Sequence, residues 1–223
     1  MIVPEYLYQL TAAYIIVFMV REYVAWKGIL LLKYFFTPMI TALAVFIVLS
    51  SLIVYGADRY SLFVFASLIA ALIADTLLMI EEISLLKNGM VFFILGHLFY
   101  AAAFCYDITF SAWNSVLLII LLVVNFIHLR LMKKHSGRMF IPVVFYVIII
   151  DIMGYLAIIK LNSGAGSFGI TVALAAVLFW TSDFILSVNA FVKTIPHSTV
   201  YTWLFYAPAQ LLFAWSAVLI NRI

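Results

Sequence analysis

Residues 60–80 read YSLFVFASLIAALIADTLLMI, with Asp75 as the one charged residue among them. The stretch has the length that an α-helix needs to cross a ~30 Å hydrocarbon core, roughly 20 residues. Its apolar residues follow one another without the alternation of polar and apolar positions that a transmembrane strand would show. Inside lipid the backbone must satisfy its own hydrogen bonds, so a helix is expected. Blocks of the same kind recur along the chain. They place spans at 6–26, 34–55, 60–80, 89–107, 112–129, 140–160, 168–191 and 200–220. The fold class is therefore all-α: a polytopic integral membrane protein, a bundle of eight transmembrane helices.

Composition points the same way. Of 223 residues, 68% are hydrophobic and 9% charged, more apolar surface than a water-soluble domain of this length hides. The net charge of +3 is too small and scattered for a nucleic-acid partner. One cysteine, Cys105, excludes an intrachain disulfide and a multi-cysteine metal site. The first apolar block is of full span length, is preceded by Glu5 and lacks a small-residue cleavage site, so a cleaved signal peptide is not expected.

Connections between the blocks are short, and consecutive helices are expected to pack as antiparallel neighbours. No linker divides the chain, so residues 1–223 form a single transmembrane domain. A faint repeat marks two weakly similar four-helix halves, 1–110 and 111–223. In each, an aspartate late in a span (Asp75, Asp183) is followed in the next span by an aromatic run, His97-Leu98-Phe99-Tyr100 and Trp203-Leu204-Phe205-Tyr206. Lysine and arginine set the orientation. Odd-numbered loops and adjoining span ends hold Arg21, Lys27, Lys33, Lys87, Arg130, Lys133, Lys134, Arg138 and Lys193, against Arg59, Lys160 and Arg222 on the other side. The basic loops are expected in the cytoplasm, with both termini opposite.

Three carboxylates fall inside spans: Asp75, Asp151 and Asp183. A charge there costs several kcal/mol, so such residues usually face the bundle interior or a wet cavity and are functional candidates. The alternative is a buried acid that only ties two helices together. Asp75 lies about a turn and a half before the polar Glu81-Glu82 end of its span, and Asp183 lies late in another inward-running span. Asp151 lies past the middle of an outward-running span, nearer the far side. Helical spacing puts Phe93, His97, Tyr100 and Phe104 on one face, Trp203, Tyr206, Gln210 and Phe213 on another, and Lys33, Thr37 and Thr41 in a stripe. Aromatic residues also anchor at membrane interfaces, and lysine snorkels, so each has a plainer reading alone. Together they bring four helices to the depth of two aspartates. Ser67, Ala70, Ala71 and Ala74 form a small-residue face that permits close helix contact. Of four histidines only His97 is clearly within a span, too few for a zinc hydrolase, and no metal or other cofactor is expected.

At these residues the chain resembles the YhhN family of membrane proteins, which includes the lysoplasmalogenases. The resemblance runs through Ala71-Leu72-Ile73-Ala74-Asp75-Thr76-Leu77-Leu78-Met79 and Gly96-His97-Leu98-Phe99-Tyr100. It continues in Phe179-Trp180-Thr181-Ser182-Asp183, in Tyr206-Ala207-Pro208-Ala209-Gln210, and in Lys33 with Thr37-Pro38. Ala74 and Ala71 stand where the family usually has Gly and often Ser; both remain small, without the hydroxyl. The resemblance implies eight helices and a hydrolase that cleaves the vinyl ether bond of a lysophospholipid substrate, alkenyl-glycerophosphocholine or -ethanolamine. Burial, matched depth and the twofold motif make Asp75 and Asp183 the expected catalytic residues, with Lys33, Thr37, His97, Tyr100, Ser182, Tyr206 and Gln210 expected to bind substrate. The expected setting is a bacterial inner membrane, in contact with membrane lipid.

A vinyl ether resists base but yields to acid. Protonation of the alkene carbon gives an oxocarbenium ion, water adds, and the hemiacetal collapses to an aldehyde and a free hydroxyl. That chemistry needs one protonated carboxyl and one carboxylate. Glycosidases place a comparable pair around a similar cation, and burial next to a second acid keeps one member of a pair protonated. By residue chemistry alone a transporter or channel using the aspartates as a proton relay is an equal alternative. A structural membrane protein or receptor without chemistry is a third.

Overall fold

The structure is a computed structural model describing residues 3–80, 83, 85–163 and 166–222; the side chains of Ser163 and Arg222 lie outside the description. Glu81 and Glu82, the expected polar end of the third span, are outside the described residues. The described residues form eight α-helices: α1 Glu5–Trp26, α2 Leu30–Tyr55, α3 Arg59–Leu78, α4 Leu86–Phe104, α5 Ala112–His135, α6 Phe140–Ile159, α7 Gly166–Ser187 and α8 Ser198–Leu219. A π-helical turn, Val188–Val192, extends α7. Among the described residues there is no strand. Helices α2 to α8 are long and apolar enough to cross a membrane. Helix α1, which carries Glu5, Arg21 and Glu22, is not among them. It packs along α2 and against α8. Two polar bonds fasten it there: Tyr14 Oη donates to the Ala207 carbonyl at 2.7 Å, and Trp215 Nε1 donates to Thr11 Oγ1 at 2.9 Å.

In lipid the apolar side chains gain little by leaving one hydrocarbon surrounding for another, so close fit and polar bonds decide which helices meet. The α3–α4 contact is built on small residues. Ser67, Ala70, Ala71 and Ala74 are all buried. Ser67 Oγ donates to the Gly96 carbonyl at 2.7 Å, and a Cβ on Gly96 would lie 3.3 Å from the Ser67 carbonyl oxygen. Helix α6 meets α7 in the same way, with Gly154 against the Trp180 ring. Helix α8, the most deeply embedded, packs on α7, α2, α1 and α3.

One expectation fails. Consecutive helices α4 and α5 do not pack along each other; α4 packs on α3 and α6 instead. Helix α5 is displaced to the edge, where Val123, Val124, Phe126 and Ile127 face outward. The reason lies in the two surfaces. Helix α4 offers Gly89, Gly96, His97 and Tyr100 to the interior, whereas α5 buries only Asn114, Leu121 and Met132. A helix apolar on every side is content in lipid.

Candidate active site

Two cavities adjoin and share Leu78, Phe93, Asp183 and Leu186 in their walls. The smaller, about 140 Å³, is polar. It is walled by the C-terminal parts of α1, α3 and α7 and the N-terminal parts of α2 and α8, which bring Arg21, Lys33, Thr37, Asp75, Ser182, Asp183, Trp203 and Tyr206 together. The larger, about 370 Å³, is apolar and lies between α4, α5, α6 and α7.

Asp75 is buried and surrounded by donors. Thr41 Oγ1 donates to its Oδ2 at 2.5 Å and Tyr206 Oη at 2.9 Å. Behind Tyr206 the bonds continue in one direction. Gln210 Nε2 donates to Tyr206 Oη at 2.7 Å, and Tyr100 Oη donates to Gln210 Oε1 at 3.0 Å. Every link donates toward Asp75, an arrangement whose bonds polarise one another and suit an anion.

Asp183 has a different setting. Its Oδ2 accepts a short hydrogen bond from Tyr146 Oη, which comes from α6. The same hydroxyl stands 3.3 Å from His97 Nε2, and that nitrogen is 4.0 Å from Asp183 Oδ2. His97 is fully enclosed, with Phe179 edge-on at 4.9 Å between ring centres. Ser182 Oγ, next in the chain to Asp183, is buried with no hydrogen-bond partner among the described residues. A buried hydroxyl without a partner is uncommon and marks a place for water or ligand.

The basic groups stand beside the carboxylates. Arg21 is 1% exposed, and its guanidinium carbon sits 4.5 Å from the centre of the Trp203 ring. It donates to Glu22 Oε1 at 2.5 Å, to the Thr199 carbonyl at 3.3 Å and, from Nε, to Thr37 Oγ1 at 3.5 Å. Lys33, at the start of α2, is also buried at the same cavity.

Of the residues singled out in the sequence, Asp75, Asp183, Lys33, Thr37, Ser182 and Tyr206 line the small cavity together. His97, Tyr100 and Gln210 do not reach its wall; they stand one layer back, against Tyr146 and Tyr206. Asp151 is separate. It lines the apolar cavity and accepts from Asn125 Nδ2 at 2.5 Å. Three residues at the carboxylates were not assigned from sequence. In the sequence Arg21 is a charge that sets orientation, Thr41 is part of a stripe, and Tyr146 is one aromatic in an apolar run. A polar group in the middle of an apolar helix was the available signal for Tyr146, as was the adjacent opposite charge of Glu22 for Arg21.

Fold and site together define a class: a multi-pass α-helical membrane protein with two carboxylates and two basic residues around one partly open cavity. Residues 29–217 match the model of the YhhN family, and the chain belongs to that family, which includes lysoplasmalogenases. No solved structure matches it. Arg21 precedes the matched residues, so the contribution of α1 is read from this structure alone.

Proposed function

We propose that the protein hydrolyses the vinyl ether bond of single-chain alkenyl glycerophospholipids. The products are a fatty aldehyde and glycerophosphocholine or glycerophosphoethanolamine. The observation that carries this reading is that Asp75 and Asp183 line one cavity whose wall also holds Arg21 and Lys33. Two acids answer the need for a proton donor and a cation-stabilising carboxylate; two bases answer the phosphate of the substrate.

The surroundings divide the roles. Asp75, fed by the donor chain from Tyr100 through Tyr206, is the carboxylate that steadies the oxocarbenium ion. Asp183, with one hydroxyl donor and a place where polar wall gives way to apolar, is the acid. Its proton goes to the alkene carbon, and the cation forms on the ether carbon. Water adds there and loses its proton to a carboxylate. The hemiacetal hydroxyl then gives up its proton as the carbon's bond to the glycerol oxygen breaks, and that oxygen takes up a proton and leaves. Ser182 Oγ, unpartnered among the described residues and in the same wall, supports the reading as the group that holds the water. Paired carboxylates of this kind act by environment, since their chemical type is identical. By the distribution of lysine and arginine, this end of the bundle faces the cytoplasm.

The test is aldehyde release by the purified protein from an alkenyl-glycerophosphocholine. Release of stoichiometric aldehyde and glycerophosphocholine is expected. Proton flux in reconstituted vesicles without any aldehyde would replace this reading with a transporter.

A further inference from the structure

The apolar cavity is not needed for acid–base chemistry, yet it adjoins it. Its wall includes Leu86, Met90 and Phe93 from α4 and residues of α5 from Leu117 to His128. That is a length of roughly 16 Å at the rise of an α-helix. Its volume of about 370 Å³ is in the range of ligand sites, roughly 300–1,000 Å³. The cavity is partly open, and its flanks are the two helices that fail to pack on each other, α4 and α5. Polar groups in its wall pair with one another, Asn125 Nδ2 with Asp151 at 2.5 Å and His128 Nε2 with Ser187 Oγ at 3.1 Å. It reaches the carboxylates at one point, Asp183, which faces both spaces.

We propose that this cavity binds the hydrocarbon chain of the substrate, and that the chain enters it sideways from the bilayer between α4 and α5. The inference rests on the proposed hydrolysis for the identity of the occupant. The order of groups supports it. Along the molecule a lysoplasmalogen presents phosphate, glycerol, vinyl ether and chain. Along the protein the matching order is Arg21 and Lys33, the small cavity, Asp183, and the apolar cavity. A chain already in lipid gains little free energy by moving into another apolar space. The cavity therefore works by register: with phosphate and chain each held, the bond between them falls beside Asp183, and orientation of this kind lowers barriers. Lateral entry follows from the same physics, because a chain that never leaves hydrocarbon is not exposed to water on the way in.

The experiment uses a non-hydrolysable alkyl-ether lysophospholipid with a photoreactive diazirine far along its chain, applied to the whole protein in vesicles. Crosslinks are mapped by mass spectrometry. Labels are expected on Ile120, Val124, Val147 and Ile150. They are expected to be displaced by unlabelled alkyl-glycerophosphocholine and not by diacyl phosphatidylcholine. Val124 lines the cavity and is 57% exposed, so Val124→Trp adds bulk at the opening without disturbing the core. It is expected to lower both labelling and long-chain turnover about tenfold by overpacking. Val123→Trp, at the neighbouring exposed position outside the cavity wall, is expected to keep both, and hydrolysis of a short-chain alkenyl substrate is expected to fall less than that of a long-chain one in Val124→Trp. Labels confined to the α1, α2 and α8 side would overturn the proposal. So would equal displacement by diacyl lipid, which would make the cavity a general lipid site. Because labelling does not depend on turnover, cavity labels without aldehyde release would reject the hydrolase and leave the chain site standing. Aldehyde release with labels elsewhere would do the reverse.

Discussion

Tyr206 reaches from α8 to donate a 2.9 Å hydrogen bond to Asp75 of α3, and its own oxygen accepts from Gln210 at 2.7 Å. The tyrosine therefore transmits the donor chain to the carboxylate. Tyr206→Phe removes the last link and leaves a buried Gln210 amide without its partner. A hydrogen bond to a charged group contributes about 1.5–3 kcal/mol, so turnover is expected to fall by roughly tenfold to a hundredfold. In an Asp75→Asn background the same change should cost almost nothing further. Steady-state kinetics of the four proteins check this, and an equal loss in both backgrounds would separate Tyr206 from Asp75.

The carboxylates themselves carry the central prediction. Asp→Asn keeps size and removes either the proton to give or the charge to stabilise. Asp75→Asn and Asp183→Asn should each reduce aldehyde release by roughly a hundredfold to ten-thousandfold, the usual range for a general acid or base. The double change should be little worse than either single one, because the two act as a unit. Asp151→Asn should be milder, since Asp151 is bonded to Asn125 and lines only the apolar cavity. Each variant is compared at equal monodisperse elution. Near-normal release by both Asp75→Asn and Asp183→Asn would remove the mechanism.

Lys33 and Arg21 are expected to act on binding. Lys33→Met should raise KM about tenfold or more, the worth of one charge-assisted hydrogen bond, with a smaller effect on kcat. Arg21→Lys keeps the charge but loses the planar fork and the stacking on Trp203, so it should also raise KM. A neutral headgroup analogue should bind both variants as it binds the parent protein. If the variants bind the phosphate-bearing lipid normally, neither residue holds it.

Orientation is checked with two thiols in one molecule. Cys105 is exposed beyond the C-terminal end of α4, away from the site, and His135 is exposed at the C-terminal end of α5. In His135→Cys, an impermeant maleimide should label residue 135 from the cytoplasmic face and Cys105 from the other. The reverse pattern would invert the topology.

The α3–α4 contact should be sensitive to volume. Gly96→Leu places side-chain atoms against Ser67, whose backbone oxygen a Cβ already meets at 3.3 Å. Overpacking of this sort costs about 1–3 kcal/mol. A lower melting temperature in detergent is expected, with Ser67→Ala less affected. An unchanged melting temperature would mean that α3 and α4 yield easily, and that Asp75 and His97 are held by other contacts.

The sequence by itself determined where the helices run and which of their faces hold polar groups. The bilayer allows few ways to bury some twenty apolar residues, and a helical repeat puts His97 with Tyr100 and Tyr206 with Gln210 on common faces. It also marked Asp75 and Asp183, because a carboxylate inside an apolar run stands out against its neighbours. Tertiary structure alone decided the rest. It carried Arg21 from α1 and Tyr146 from α6 to the carboxylates, set Tyr100 and Gln210 behind Tyr206 rather than in the cavity wall, and placed α4 on α6 with α5 left at the edge. Among helices that are all apolar, lipid and neighbour are nearly equivalent surroundings. Which helices meet therefore depends on details of fit, such as Ser67 against Gly96 or Gly154 against Trp180, that no periodicity records.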